Sequence, residues 1–223
     1  MRGKRERLLR EMYAAMHDRL GPSGWWPGET PLEVCVGAVL TQNTAWVNVK
    51  QAIQRLRDAG VLASGHALLA LPEAELSELI RPAGFFRLKA VRLRNLLRYL
   101  DEACGFDFDL LAEQDIDDLR PRLLAVSGIG PETADSVLLY ALGLPSFVVD
   151  AYTRRILHRH ALVPEDIPYH ELRDVFMDVL EPDAPFYNEF HALLVRVAAQ
   201  WCRARTPRCA ECPLSPFLDG GVA

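Results

Sequence analysis

Two glycines around one apolar residue, Gly128-Ile129-Gly130, followed at once by Pro131, constrain this chain more than any other stretch. A leucine-rich segment (Leu119, Leu123, Leu124) leads into them, and Pro131 stands where a new helix has its first turn, a place where the missing N–H costs nothing. The pattern predicts helix, hairpin, helix. The amides that open the second helix lack intrahelical acceptors, so such a turn can hold a phosphate. Ala134, Val137, Leu138 and Ala141 form that helix's apolar stripe, Gly143 and Pro145 end it, and Phe147-Val148-Val149 carries the chain to Asp150. An acid at the end of a buried apolar run is a candidate for chemistry. Taken alone, the glycine turn is equally an ordinary helix connection with glycine caps, and Asp150 is equally an N-cap for the segment after it.

The 223 residues are 50% hydrophobic, which suits one domain or two small ones with a buried core. No apolar run has the length of a membrane span and the basic start MRGKRERLLREM has no signal-peptide core, so a cytoplasmic protein without membrane contact is expected; a monomer is expected as well. A net charge of −5 argues against nucleic acid as a partner of the whole surface, and any such contact must rest on local patches. Three of the five cysteines, Cys202, Cys209 and Cys212, crowd near the C-terminus, a distribution that suits metal ligation better than a disulfide framework.

Helical spacing of apolar residues predicts helices over 4–20, 32–40, 46–56, 68–80, 87–100, 115–126, 131–142, 151–157, 169–180 and 186–201, with no strand, hence an all-α fold. Thr30-Pro31-Leu32-Glu33 is a capping box. The polar cluster Thr41-Gln42-Asn43-Thr44 falls at a helix junction, where amide side chains reach outward. Lys89 and Arg92 share a face in the most basic stretch of the chain, either a solvated helix flank or a phosphate-facing one. Trp25 and Trp26 sit in a Gly/Pro-rich loop, where two tryptophans ordinarily plug a core.

GIGPETAD followed by VVDAYTRRI resembles the helix-hairpin-helix, Gly/Pro-rich loop and aspartate signature of the endonuclease III superfamily of DNA glycosylases. GWWP, LTQNT and Trp46 are similar to its 3-methyladenine glycosylase branch, and the resemblance runs from Trp25 to Cys212. It implies two helical subdomains, 1–30 with 145–223 and 31–144, the hairpin near 115–142, an iron–sulfur loop at the C-terminus and a cleft between the subdomains. It also implies a partner, double-stranded DNA carrying damaged bases, and a protein that is nucleoid-associated when on DNA. Asp150 matches the superfamily's catalytic aspartate, and Trp25, Trp26, Trp46 and Glu132 fall in or beside the base pocket. Gln42 or Asn43 matches the residue that fills the gap left by the flipped base. Gly128, Ile129, Gly130 and Thr133, with Lys89 and Arg92, are expected on DNA.

Two departures from the family qualify these expectations. Glu132 stands where strand-cleaving members carry a Schiff-base lysine, and a carboxylate supplies no amine, so lyase chemistry is not expected. The [4Fe-4S] cluster of the family has a fourth cysteine where this chain has Leu218, which leaves three thiolates and Asp219 as a suggested fourth ligand. An open coordination site, a three-iron cluster, zinc and an empty site are the alternatives. The expected activity is hydrolysis of the N-glycosidic bond of alkylated purines. Its rivals are a glycosylase for oxidised pyrimidines, an inactive DNA-binding descendant and a plain helical metal-binding protein.

Overall fold

The computed structural model describes residues 2–25 and 28–218. They are helical and connected by turns, with no strand among them, and no described helix is long and apolar enough to cross a membrane. The chain divides into two compact units, Met1–Trp25 with Pro145–Ala223, and Trp26–Leu144.

The continuous unit starts at α2 (Pro31–Leu40), where Thr30 accepts from the amide of Glu33 at 3.2 Å and Pro31 occupies the first helical position. All of α2 but Pro31 and Ala38 is buried, which is what its apolar sequence demands. Buried Glu33 is neutralised by Arg57 of α3 (Trp46–Asp58), whose Nε and Nη2 donate to the carboxylate at 2.9 and 2.6 Å. α4 (Gly65–Ala70) and α5 (Glu73–Leu79) replace the single helix expected over 68–80. Pro72 forces Leu71 into an extended conformation and ends the first of them. α6 (Phe86–Cys104) lays Ala90, Leu93, Leu96, Leu97 and Leu100 into the core, each leucine contributing about 2 kcal/mol of apolar burial. A short α7 (Phe108–Ala112), begun by an Asp107 cap, had no counterpart in the sequence reading. α8 (Ile116–Ala125) and α9 (Pro131–Ser136) then form the hairpin, and α9 continues through a wider, π-helical turn over Val137–Ala141.

The other unit packs α1 (Arg2–Leu20), α10 (Ala151–Arg159), α11 (Tyr169–Met177) and α12 (Ala184–Gln200) around aromatic rings. Phe147 stacks on Phe176 with centroids 3.9 Å apart, and Tyr187 and Phe190 meet Phe147 edge-on. Phe147, Val148 and Val149 are buried in an extended approach to Asp150, as their apolar run demands. Arg196 of α12 donates to the carbonyls of Leu20 and Gly21 at 2.8 and 3.1 Å, which satisfies the C-terminus of α1. Glu189 accepts from the amide and hydroxyl of Ser23 at 2.7 and 2.5 Å and holds the loop after α1 against α12.

Candidate active site and nucleic-acid contacts

In the continuous unit the hairpin is fastened from beneath. Arg120 of α8 grips fully buried Asp135 of α9 through Nε and Nη2, at 2.8 and 3.0 Å. Gly128 has φ +91°, and a Cβ there would fall 2.3 Å from Cγ of Arg92, so only glycine lets the arginine stem lie across the turn. Ile129 is buried and its amide donates to Val126 O at 3.0 Å, which removes it from the expected set of phosphate donors. The amides of Gly128 and Gly130 have no acceptor among the described residues and remain the outward donors of the turn.

Gln42 is tied into this hairpin. Its Nε2 donates to Gly128 O at 3.1 Å and to Thr133 Oγ1 at 3.0 Å, while Arg92 Nη1 donates to its Oε1 at 2.6 Å. Thr133 is buried with its hydroxyl turned to Gln42, so it does not stand ready for DNA as expected, while half-buried Arg92 gives one nitrogen to Gln42. Asn43, by contrast, is exposed with φ 52°.

Lys89 corrects the expectation of a phosphate contact. Its side chain is 1% exposed, and Nζ donates to Leu40 O, Thr44 Oγ1 and Ala83 O at 2.7, 2.5 and 2.7 Å. The ammonium's three donors meet three oxygens, and Thr44 passes a further bond to Ala83 O at 2.6 Å. Lys89 thereby joins the 41–44 loop to the 81–84 turn. Each carries a non-glycine residue in left-handed conformation, Asn43 in one and, just after the other, Phe85 with φ 47° and 71% exposure. Backbone strain and a bared aromatic ring together mark Phe85 as a functional candidate that the sequence reading missed. The consecutive aromatics of Gly84-Phe85-Phe86 at a helix start were the available signal. Trp46 is half-buried with its ring against Gly37, packed on the core of this unit. Glu132 is exposed on the first turn of α9.

In the other unit Asp150 is the N-cap of α10. Its Oδ1 accepts from Thr153 N at 2.7 Å and Thr153 Oγ1 at 3.0 Å. Its Oδ2 faces His191 Nε2 of α12 at 3.6 Å, with Asp150 15% and His191 8% exposed. Burial pushes the Asp150 carboxyl up, but His191 and the Thr153 donors outweigh it and hold the group below the usual range, so it is a carboxylate at neutral pH. Trp25 meets the His191 ring edge-on, centroids 6.2 Å apart, which brings one expected pocket tryptophan beside the residue that faces Asp150. Trp26 lies outside the described residues. The capping and chemical readings of Asp150 thus coexist, each using a different oxygen.

Cys202, Cys209 and Cys212 line one small cavity with Ile156, Val197, Leu214 and Leu218. Arg159 of α10 donates to Cys202 Sγ at 3.3 Å and Arg155 to Cys202 O at 2.7 Å. Among the described residues no three His, Cys, Asp or Glu side chains stand where one metal ion would be held. Leu218 sits on the same cavity wall without a donor atom, and Asp219 lies outside the described residues. Three thiols on one cavity are the donor type that an iron–sulfur cluster takes.

The helices, the glycine hairpin and the carboxylate at a helix start fall in one class of DNA-repair fold. Residues 36–182, well over half the chain, match the HhH-GPD superfamily of base excision DNA repair proteins, and the chain belongs to that family. A protein of Methanocaldococcus jannaschii that bears the name of a DNA repair glycosylase is 42% identical over 219 residues, 97% of this chain and 98% of the relative. An endonuclease III of Synechocystis is 29% identical over 87% of this chain and 84% of its own. Among solved structures, the H. pylori 3-methyladenine DNA glycosylase bound to 1,N6-ethenoadenine matches with TM-score 0.75 and 28% identity, over 88% of this chain and 97% of that one. A trapped endonuclease III–DNA intermediate matches with TM-score 0.79 at 22% identity, over 97% of this chain and 96% of that one, a likeness of fold.

Proposed function

We propose that this chain is a monofunctional DNA glycosylase that hydrolyses the N-glycosidic bond of alkylated purines in duplex DNA. The observation that carries the reading is Asp150, a mostly buried acid at the start of α10, with one oxygen committed to that helix and the other facing His191 outside the cap. Loss of a base leaves cationic character on the sugar, and a carboxylate stabilises it and orients or deprotonates the attacking water. The hairpin amides of Gly128 and Gly130 receive a backbone phosphate. Asn43 and Phe85, exposed on strained backbone, are the side chains that enter the stack when a base leaves it. Trp25, with Trp26, supplies indole faces that favour electron-poor alkylated bases. The likeness to a 3-methyladenine glycosylase supports that substrate class.

Duplex containing a methylated purine tests the proposal. Base release is expected, with strand scission only after alkali, because Glu132 offers no amine. Scission without alkali overturns the monofunctional reading, and release of oxidised pyrimidines alone replaces the substrate class.

A structural [4Fe-4S] cluster on Cys202, Cys209 and Cys212 completes the reading, and it would tie the ends of the 202–212 segment together. Protein purified without oxygen is expected to hold about four iron atoms and to lose them in Cys209→Ala. Iron lost in Asp219→Ala as well supports a carboxylate fourth ligand; iron-free wild-type protein removes the cluster.

A further inference from the structure

His191 has no local signature in the sequence. It is one polar residue in the buried face of α12, among Tyr187, Phe190, Ala192, Leu193 and Leu194, where a histidine is ordinarily core packing. Its setting here is more specific. Asp150 divides its two oxygens: Oδ1 takes both Thr153 donors and is spent on starting α10. Oδ2 takes neither, and the group facing it is the His191 imidazole at 3.6 Å. That imidazole also meets the Trp25 ring in an edge-type contact. His191 is therefore in contact with both the Trp25 ring and the free oxygen of Asp150.

We propose that His191 is the positioning residue for Asp150, orienting through Nε2 the one carboxylate oxygen that the helix cap leaves for chemistry. The inference rests on the reading of Asp150 as the catalytic carboxylate. An acid with so little exposure would ordinarily lean toward taking up a proton, and a protonated carboxyl neither stabilises a sugar cation nor accepts a proton from water. Thr153 contributes uncharged donors from α10 itself, and His191 is the titratable group that faces Asp150 from α12. Glu189, two residues earlier on α12, is occupied by Ser23. Without His191 the acid is expected to hold its proton to higher pH. The active, ionised form is then lost sooner as pH falls.

Single-turnover and steady-state kinetics on methylated-purine duplex across pH, for wild type, His191→Ala, His191→Gln and Asp150→Asn, test this. His191→Ala is expected to lower kcat about tenfold or more with KM changed less than about twofold, and to move the acid limb of the profile upward. His191→Gln, which keeps an N–H at similar reach, is expected to recover most of kcat and return the acid limb toward wild type. If His191→Ala does not fold, the glutamine variant decides. A kcat within about twofold of wild type and an unmoved acid limb in His191→Ala overturn the proposal. Equal impairment of both variants with matching losses of Tm overturns it too, by making His191 a packing residue. Full activity in Asp150→Asn instead sinks the assignment of Asp150 itself. An inactive Asp150→Asn beside an unaffected His191→Ala leaves that assignment standing and removes this inference alone.

Discussion

Asp150→Asn is expected to lower the single-turnover rate of base release on the order of 10³-fold while leaving the protein folded and able to bind duplex. The separation follows from the two oxygens. Asparagine caps helices about as well as aspartate, so the bond from Thr153 N at 2.7 Å has a ready replacement and α10 still starts at Ala151. What is lost is the negative charge near an emerging sugar cation, together with the attraction of Oδ2 for His191. Thermal melting is expected to change by no more than about 1 kcal/mol of stability. A variant that retains more than a small fraction of wild-type rate, or that melts early enough to explain its inactivity, would contradict this account.

The second large effect is expected at Lys89. Lys89→Met keeps an unbranched side chain of similar length but withdraws every donor from Leu40 O, Thr44 Oγ1 and Ala83 O. Buried acceptors left without donors cost roughly 2–4 kcal/mol in total, measurable as a fall in the urea midpoint. Glycosylase activity should fall further than stability alone explains, because the two loops that present Asn43 and Phe85 lose their common tie. Burial, and after it the Arg92 guanidinium, pulls the Lys89 amine down to about 8. The folded chain therefore releases this proton before the unfolded chain does. Wild-type stability relative to Lys89→Met is expected to rise as pH climbs from about 8 toward the ordinary lysine range. A midpoint equal to wild type would show that the three oxygens find other donors.

The hairpin was legible because glycine, proline and a capping acid act on the backbone within a few residues of themselves. Gly128, Pro131 and Asp150 each declare a local conformation, and the structure uses each of them so. Depth is another matter. Periodicity placed Lys89 and Arg92 on one helical face, but it does not distinguish a lysine reaching water from one reaching three carbonyl and hydroxyl oxygens in the core. The same limit applies to Ile129 and Thr133, whose polar groups are consumed by Val126 and Gln42. Phe85 and His191 escaped for opposite reasons. Phe85 is conspicuous only once its left-handed backbone and bare ring are seen together, and His191 acquires meaning only from an acid on another helix. The break at Pro72 was readable and was overlooked, since the residue before a proline avoids helical backbone.

Helix α10 is a nine-residue strut, roughly 13 Å long. Asp150 is seated at one end, and at the other Arg155 and Arg159 clasp the carbonyl and sulfur of Cys202 and the carbonyls of Arg203 and Ala204. The same helix thus carries the proposed catalytic carboxylate and the arginines that hold the thiol-bearing segment. A change that releases those arginines is expected to be felt along the helix that Asp150 begins.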